Sequence, residues 1–212
     1  MHIPDGFLSA NTWIPAWFIS IGGLGVFLRR TQEALKERMV PLMGVMSAFI
    51  FAAQMLNFPV IGGTSGHLLG GVLAAVLLGP YAGAVVIAVV LIAQCFIFQD
   101  GGITALGANI LNMSFVGSAG GYFIYKGMRW LIKGAHGFIA ATAIAAWSSV
   151  VLASAACAIE LAVSNTSPFR IVFPAMIGIH ALIGIGEAVI TCLVIGYVKK
   201  VRPDLIYGGA RK

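Results

Sequence analysis

The 212-residue chain is 59% hydrophobic and only 9% charged, with a formal net charge of +6 and a mean hydropathy of +0.97. That leaves too little polar surface to wrap a water-soluble globule of this length, so a soluble enzyme or binding domain is excluded and the chain is expected to face lipid. Its basic residues are not interleaved with aromatics on a soluble face, so the positive charge reads as membrane topology and attraction to anionic lipid, not nucleic-acid binding.

The chain begins Met1-His2-Ile3-Pro4-Asp5-Gly6. A bulky second residue should protect the initiator methionine from removal, and no leader signature is read ahead of it, so both residues are expected to persist. Pro4, Asp5 and Gly6 form a turn signal that directs the terminus somewhere definite.

Seven apolar runs follow, at Trp13 to Leu28, Met39 to Leu56, Gly66 to Leu78, Tyr81 to Phe98, Ile103 to Tyr125, Phe138 to Val163 and Ile171 to Val198. Their length and continuity fit membrane helices and contradict the alternating strands of an outer-membrane barrel. Leu68 to Phe98 carries no charge and would overrun a bilayer as one helix, so Gly79-Pro80 is expected to break it and leave the third helix short.

The predicted fold is therefore all-α, a polytopic bundle of seven transmembrane helices. It forms one domain over 1–212: an extracytoplasmic terminus (1–12), the bundle (13–198) and a cytoplasmic tail (199–212). Arg29, Arg30, Lys36 and Arg38 fall in the first loop, Lys126, Arg129 and Lys133 in the fifth, and Lys199, Lys200, Arg202, Arg211 and Lys212 in the tail. Seven helices put these three regions on one side, which the positive-inside rule makes cytoplasmic. The amino terminus, Gly62 to Gly66, Gln99 to Gly102 and Ser164 to Phe169 then share the outer side. Cys95, Cys157 and Cys192 lack CxxC spacing and read as small apolar residues.

The chemistry centres on histidine. A terminal amine, the amide nitrogen of residue two and the imidazole of His2 can close five- and six-membered chelate rings on one small ion. His67, in Gly62-Gly63-Thr64-Ser65-Gly66-His67-Leu68-Leu69-Gly70-Gly71, stands on the same predicted side and can supply a fourth nitrogen. Four nitrogens in a plane suit Ni(II) or Cu(II), with Co(II) a further candidate, whereas zinc sites add thiolate and hard cations take oxygen. Such binding releases protons and weakens in acid.

His136 reads as a cytoplasmic, solvated residue. Inside the membrane, His180, Gly184 and Glu187 share one face of the last helix and Glu160 lies near the outer end of the sixth; intramembrane ionisable groups usually face the bundle interior. Asn109, Asn112, Gln54 and Asn57 are candidates to orient the histidines, as is Ser65 beside His67. Ala48 and Ala52 on the second helix have the small-xxx-small spacing that permits close helix approach.

Met1-His2-Ile3-Pro4-Asp5-Gly6-Phe7-Leu8, the Gly62 to Gly70 segment, the Gly79-Pro80 break and His180-Ala181-Leu182-Ile183-Gly184-Ile185-Gly186-Glu187 together resemble the NikM/CbiM family. These are the substrate-binding S components of energy-coupling-factor (ECF) transporters for nickel and cobalt, and the likeness spans nearly the whole chain. The chain is similar to the nickel branch in carrying an extra first helix ahead of a six-helix core.

The resemblance implies that Met1 gives its amine, His2 its amide and imidazole nitrogens and His67 its imidazole to planar Ni(II), carried as substrate, with no organic cofactor. It implies that Ala48 and Ala52 match the AxxxA motif that docks an EcfT-like transmembrane coupling subunit. The complex would add a pair of cytoplasmic ATPases and a small accessory membrane subunit, in a prokaryotic cell membrane. The absence of a GxxxxGK[ST] phosphate loop agrees, because hydrolysis must then occur in a partner. The rival reading is a passive channel or proton-coupled carrier using Glu160, His180 and Glu187 as a polar path; an intramembrane enzyme lacks a nucleophile or metal triad.

Overall fold

The structure, a computed structural model, describes residues 1–34, 39–60 and 64–208. Lys36, Arg38, Gly62, Gly63, Arg211 and Lys212 lie outside the described residues. The described chain is almost entirely helical. Helix α1 spans Ala10–Ala34 and α2 Met39–Gln54; a two-stranded antiparallel hairpin, β1 (Phe58–Val60) and β2 (Thr64–Gly66), pairs Pro59 with Ser65; then come α3 (Gly71–Leu78) and α4 (Pro80–Phe98). Helix α5 is continuous through three segments, Leu106–Asn109, a wider π-helical stretch Ile110–Gly120, and Gly121–Leu131. Helices α6 (Gly134–Val163) and α7 (Phe169–Val201) complete the bundle, with a short 3-10 turn at Pro203–Leu205.

Seven helices are thus present among the described residues, and four of them, α1, α4, α6 and α7, are long and apolar enough to cross a membrane. The third departs most from its expected span. Gly66 belongs to β2 and the helix starts only at Gly71, because Leu69 and Gly70 give their N–H groups to the Glu187 carboxylate instead of to a helical turn. All eight residues of α3 are buried, so it forms the axis of the molecule. The Gly79-Pro80 break is observed: Gly79 has φ 91° and ψ 166°, a conformation open essentially to glycine alone, and Pro80 opens α4. The loop placed between the fifth and sixth helices is shorter than expected, since His136 lies in the first turn of α6.

Packing follows small residues. Helix α6 buries Ala141, Ala145, Ser149, Ala153 and Cys157 along one face, and α7 buries a single seam from Val172 through Met176, His180, Gly184, Glu187 and Thr191 to Ile195. Trp147 ties the pair by donating its indole N–H to Ala181 O at 3.0 Å. Helix α1 is peripheral: it contacts the bundle through Ala16, Ser20 and Thr31 and presents Phe18, Ile19 and Ile21 outward. Its attachment is partly polar, Ser20 Oγ donating to Gly107 O at 2.6 Å and Trp17 Nε1 to Thr104 O at 3.0 Å.

The helices bring four segments to one end. The terminal peptide donates and accepts across the 99–104 loop (Gly102 N to Ile3 O, 2.9 Å), Met1 N reaches β2, Ser164 Oγ donates to Thr12 Oγ1 at 3.0 Å, and Thr166 Oγ1 donates to Phe7 O. The opposite end gathers Arg129 and Lys199 around Phe138, with Lys199 Nζ 3.7 Å from the ring centroid. There the tail crosses under α3, with Tyr207 N donating to Val76 O at 2.9 Å.

Candidate metal centre

Met1, His2 and Ile3 are almost completely buried, at 0%, 4% and 0% exposure, which is unusual for a chain terminus. Three ties hold them. Asn109 on α5 clasps Ile3 in both directions, Ile3 N donating to Asn109 Oδ1 at 2.9 Å and Asn109 Nδ2 donating to Ile3 O at 3.2 Å. Asp5 accepts from Ile103 N, Thr104 N and Thr104 Oγ1 at 3.1, 2.7 and 2.6 Å, and these bonds hold its carboxyl below the usual range. Gly102 lets the peptide lie flush on the loop, since a Cβ there would collide with Asp5 N and approach Pro4 C within 2.6 Å.

So anchored, the terminus points at β2. Met1 N donates to Ser65 O and, at 3.0 Å, to Ser65 Oγ; His2 N donates to the same hydroxyl at 3.3 Å. Two nitrogens of the proposed chelate therefore converge on one oxygen, and the proton of the His2 amide is the one a metal would displace. Burial lowers the Met1 ammonium pKa from 8.0 to about 5, so the amine is a neutral donor at pH 7.

The imidazoles of His2 and His67 stack with ring centroids 4.6 Å apart and 30° between planes. Burial first, and the nearby terminal amine second, hold both rings well below their ordinary pKa, so both are neutral. His67 Nδ1 donates to Leu68 O at 2.8 Å, which fixes the tautomer and leaves the Nε2 lone pair buried and without a partner. His2 Nε2 is likewise buried and unpartnered.

Glu187 clamps the segment that follows β2 and carries His67, accepting from Leu69 N and Gly70 N at 2.7 Å each, and Gln54 Nε2 donates to Leu69 O at 2.8 Å. His180, fully buried, donates from Nδ1 to Met176 O at 2.8 Å and leaves Nε2 bare. Glu160 is paired with Asn112 Nδ2 at 2.6 Å. Asn57 Nδ2 donates to Asp100 Oδ2 at 3.0 Å, not to a histidine. Ala48 and Ala52 face outward from α2, away from this centre.

Among the described residues no three His, Cys, Asp or Glu side chains gather closely enough to hold a metal. An ion held here must take main-chain or terminal nitrogen, which the geometry around Ser65 offers. Sequence reasoning passed over Asp5 as a tie, Asp100 beside His2, and Thr64, whose hydroxyl donates to Met176 Sδ at 3.1 Å beneath the terminus. For Asp100 the only signal was an acid on the same predicted side as His2.

A multi-pass helical protein with a buried terminal amine beside two stacked imidazoles, each with a bare nitrogen, fits the class of membrane metal transporters, and the comparisons agree. Residues 2–205 match the family model described as the cobalt uptake substrate-specific transmembrane region, CbiM. A protein of Archaeoglobus fulgidus assigned as a fused nickel transport protein, NikMN, is 43% identical over 208 residues, 97% of this chain and 68% of its own length. One of Haloquadratum walsbyi assigned as a metal transport protein is 38% identical over 98% of this chain and 94% of its own. A crystal structure described as a truncated transition metal transporter superposes with a TM-score of 0.88 at 35% identity, covering 94% of this chain and 99% of the other. The chain belongs to the CbiM family and is a nickel/cobalt transport membrane protein of the CbiM/NikM type.

Proposed function

We propose that this chain is the substrate-binding subunit of an ECF-type, ATP-driven importer that captures Ni(II), with Co(II) as the second candidate. Four nitrogens take the ion: the Met1 amine, the His2 amide, His2 Nδ1 and His67 Nε2. The observation that carries this reading is the convergence of Met1 N and His2 N on one Ser65 hydroxyl, beside a His67 whose Nε2 is buried and unpartnered. As the ion binds, the amide would give up its proton and its bond to Ser65, the amine would offer its lone pair while keeping its N–H groups, and the stacked imidazoles would part to present one nitrogen each.

In this reading the whole chain is one integral membrane domain of seven spans, the terminus lies outside and the tail in the cytoplasm. Delivery requires an EcfT-like coupling subunit, a pair of ATPases and an accessory membrane subunit. The outward-facing Gly44, Ala48 and Ala52 of α2, spaced by four, offer the coupling subunit a flat helix face. The carrier reading is less well supported, because both its carboxylates are taken up in fixed hydrogen bonds, Glu187 accepting from Leu69 N and Gly70 N and Glu160 from Asn112 Nδ2.

Adding one residue ahead of Met1 keeps every side chain but displaces the amine by a full peptide unit. Calorimetric titration with Ni(II) should then show binding lost, whereas wild-type protein should bind it with a yellow, diamagnetic signature. Unchanged affinity in the extended chain would falsify the clamp. Large residues at positions 48 and 52 should abolish co-purification with the coupling subunit and leave Ni(II) affinity intact.

A further inference from the structure

We propose that Asp100 is a positioning residue for metal capture, accepting the Nε2–H of His2 while Nδ1 binds the ion and thereby drawing the 99–102 loop over the site. This rests on the four-nitrogen clamp proposed above.

The six-membered ring closed from the amide of His2 can use only Nδ1, so the ring's proton must sit on Nε2. That atom is buried and has no hydrogen-bond partner. A buried donor without an acceptor is costly, and metal-bound imidazoles regularly donate their second N–H to a carboxylate. Asp100 is the carboxylate in place: its Oδ2 lies 3.8 Å from His2 Nε2, about 1 Å beyond hydrogen-bond distance.

The loop is shaped for this approach. Asp100 N donates to Gln94 O at 3.0 Å, so the loop leaves α4 at a fixed angle. Gln99 and Gly101 both adopt left-handed conformations, with φ 56° and 94°, and turn the intervening Asp100 back toward the terminus. Gly101 lies against the same histidine, its Cβ position 3.5 Å from His2 Cβ and Nδ1. Asn57, donating to the Asp100 oxygen nearest His2, holds the carboxylate from the outer side. A shift of about 1 Å would complete the bond and bring the loop down on the chelate, so occupancy and closure become one event.

The test is Ni(II) binding to Asp100→Ala and Asp100→Asn in the full chain. Losing such an outer partner costs 10–100-fold in metal affinity. Asp100→Ala should therefore bind about 10–100-fold more weakly and release Ni(II) faster to EDTA; Asp100→Asn, which keeps an acceptor oxygen, should fall between. Both should shift the visible band of bound nickel to lower energy, because a less basic imidazole is a weaker ligand. The thermal stability of the metal-free variants should match wild type. An Asp100→Ala protein with wild-type affinity, release rate and band overturns the proposal, as does an affinity loss that tracks lost metal-free stability with the band unmoved. The one-residue extension separates this from the clamp: if extension abolishes binding while Asp100→Ala is silent, only the role of Asp100 fails.

Discussion

The two ends of the bundle solve opposite problems. At the end carrying the terminus, main-chain groups and short polar side chains are paired with one another so completely that a few nitrogens, His2 Nε2, His67 Nε2 and His180 Nε2, are left bare. At the other end charge is spread out: Arg129 donates to Ile132 O and Gly134 O, Lys199 lies over Phe138, and Tyr207 closes against Gly79 by shape. Bare buried donors and acceptors are expensive, so their concentration at one end marks where a ligand completes the structure. Among the described residues the other end leaves bare Thr31 Oγ1, beside Gly79, Pro80 and Tyr207, and no buried imidazole, and its contacts hold the fold together.

If this division holds, substitutions at the first end should change metal affinity more than folding, and those at the second the reverse. The largest effect is expected for His67→Ala, which removes one of the four proposed ligands outright. Calorimetry should find Ni(II) affinity reduced by more than the ~100-fold that loss of an outer partner can cost, with near-normal melting of the metal-free protein. Asn109→Ala comes next. It strips both bonds from Ile3 and leaves a buried N–H unmatched at about 1–3 kcal/mol, which corresponds to roughly 5–150-fold in affinity if the cost falls on the bound state. Asn109→Asp keeps only the acceptor, so it should recover part of the loss.

Gly79→Ala probes the other end. Its φ of 91° and ψ of 166° are closed to alanine, and a Cβ would meet the Tyr207 ring at 2.6 Å. The strain alone is about 1–3 kcal/mol, so the melting temperature should fall by several degrees while Ni(II) affinity of the folded fraction stays within about twofold. A Gly79→Ala protein that melts normally but binds nickel weakly would break the division.

Legibility followed the same boundary. Long apolar runs and the Gly79-Pro80 break are local signals, and α4, α6 and α7 lie within a few residues of their expected positions. Helix α3 starts late for a reason no local window contains: Glu187, more than a hundred residues away, takes the N–H groups that a helix would have used. The terminal Met-His and His67, which the fold brings together, stood out because the chelate proposed for them depends on covalent spacing and on one scarce residue type. Asp100 and Asp5 were not, because an acid in a loop acquires a role only when a left-handed turn or a docked peptide brings it to a partner. Asn109 and Asn57 illustrate the limit: the same residue type, buried in one case and exposed in the other, clasps Ile3 in the first and holds an acid in the second.

The smallest effect expected is a proton count, and it tests the burial of the terminus most directly. An amine with a pKa near 8 is about nine-tenths protonated at pH 7, so binding through it and through a deprotonated amide would release about two protons. With the Met1 amine lowered to about 5, it is already neutral and about one proton, that of the His2 amide, should leave. Calorimetry in buffers of differing ionisation enthalpy distinguishes the two counts. The sign of the linked stability follows: between pH 5 and 8 the unfolded chain binds the extra proton, so the metal-free fold should gain stability as pH rises through that window and level off above it. Affinity should rise about tenfold per pH unit in the same range, on the amide's account alone, and fall more steeply below about pH 5 as the amine protonates. A count near two at pH 7 would mean that the terminus is solvated, and the contrast between the two ends would lose its chemical basis.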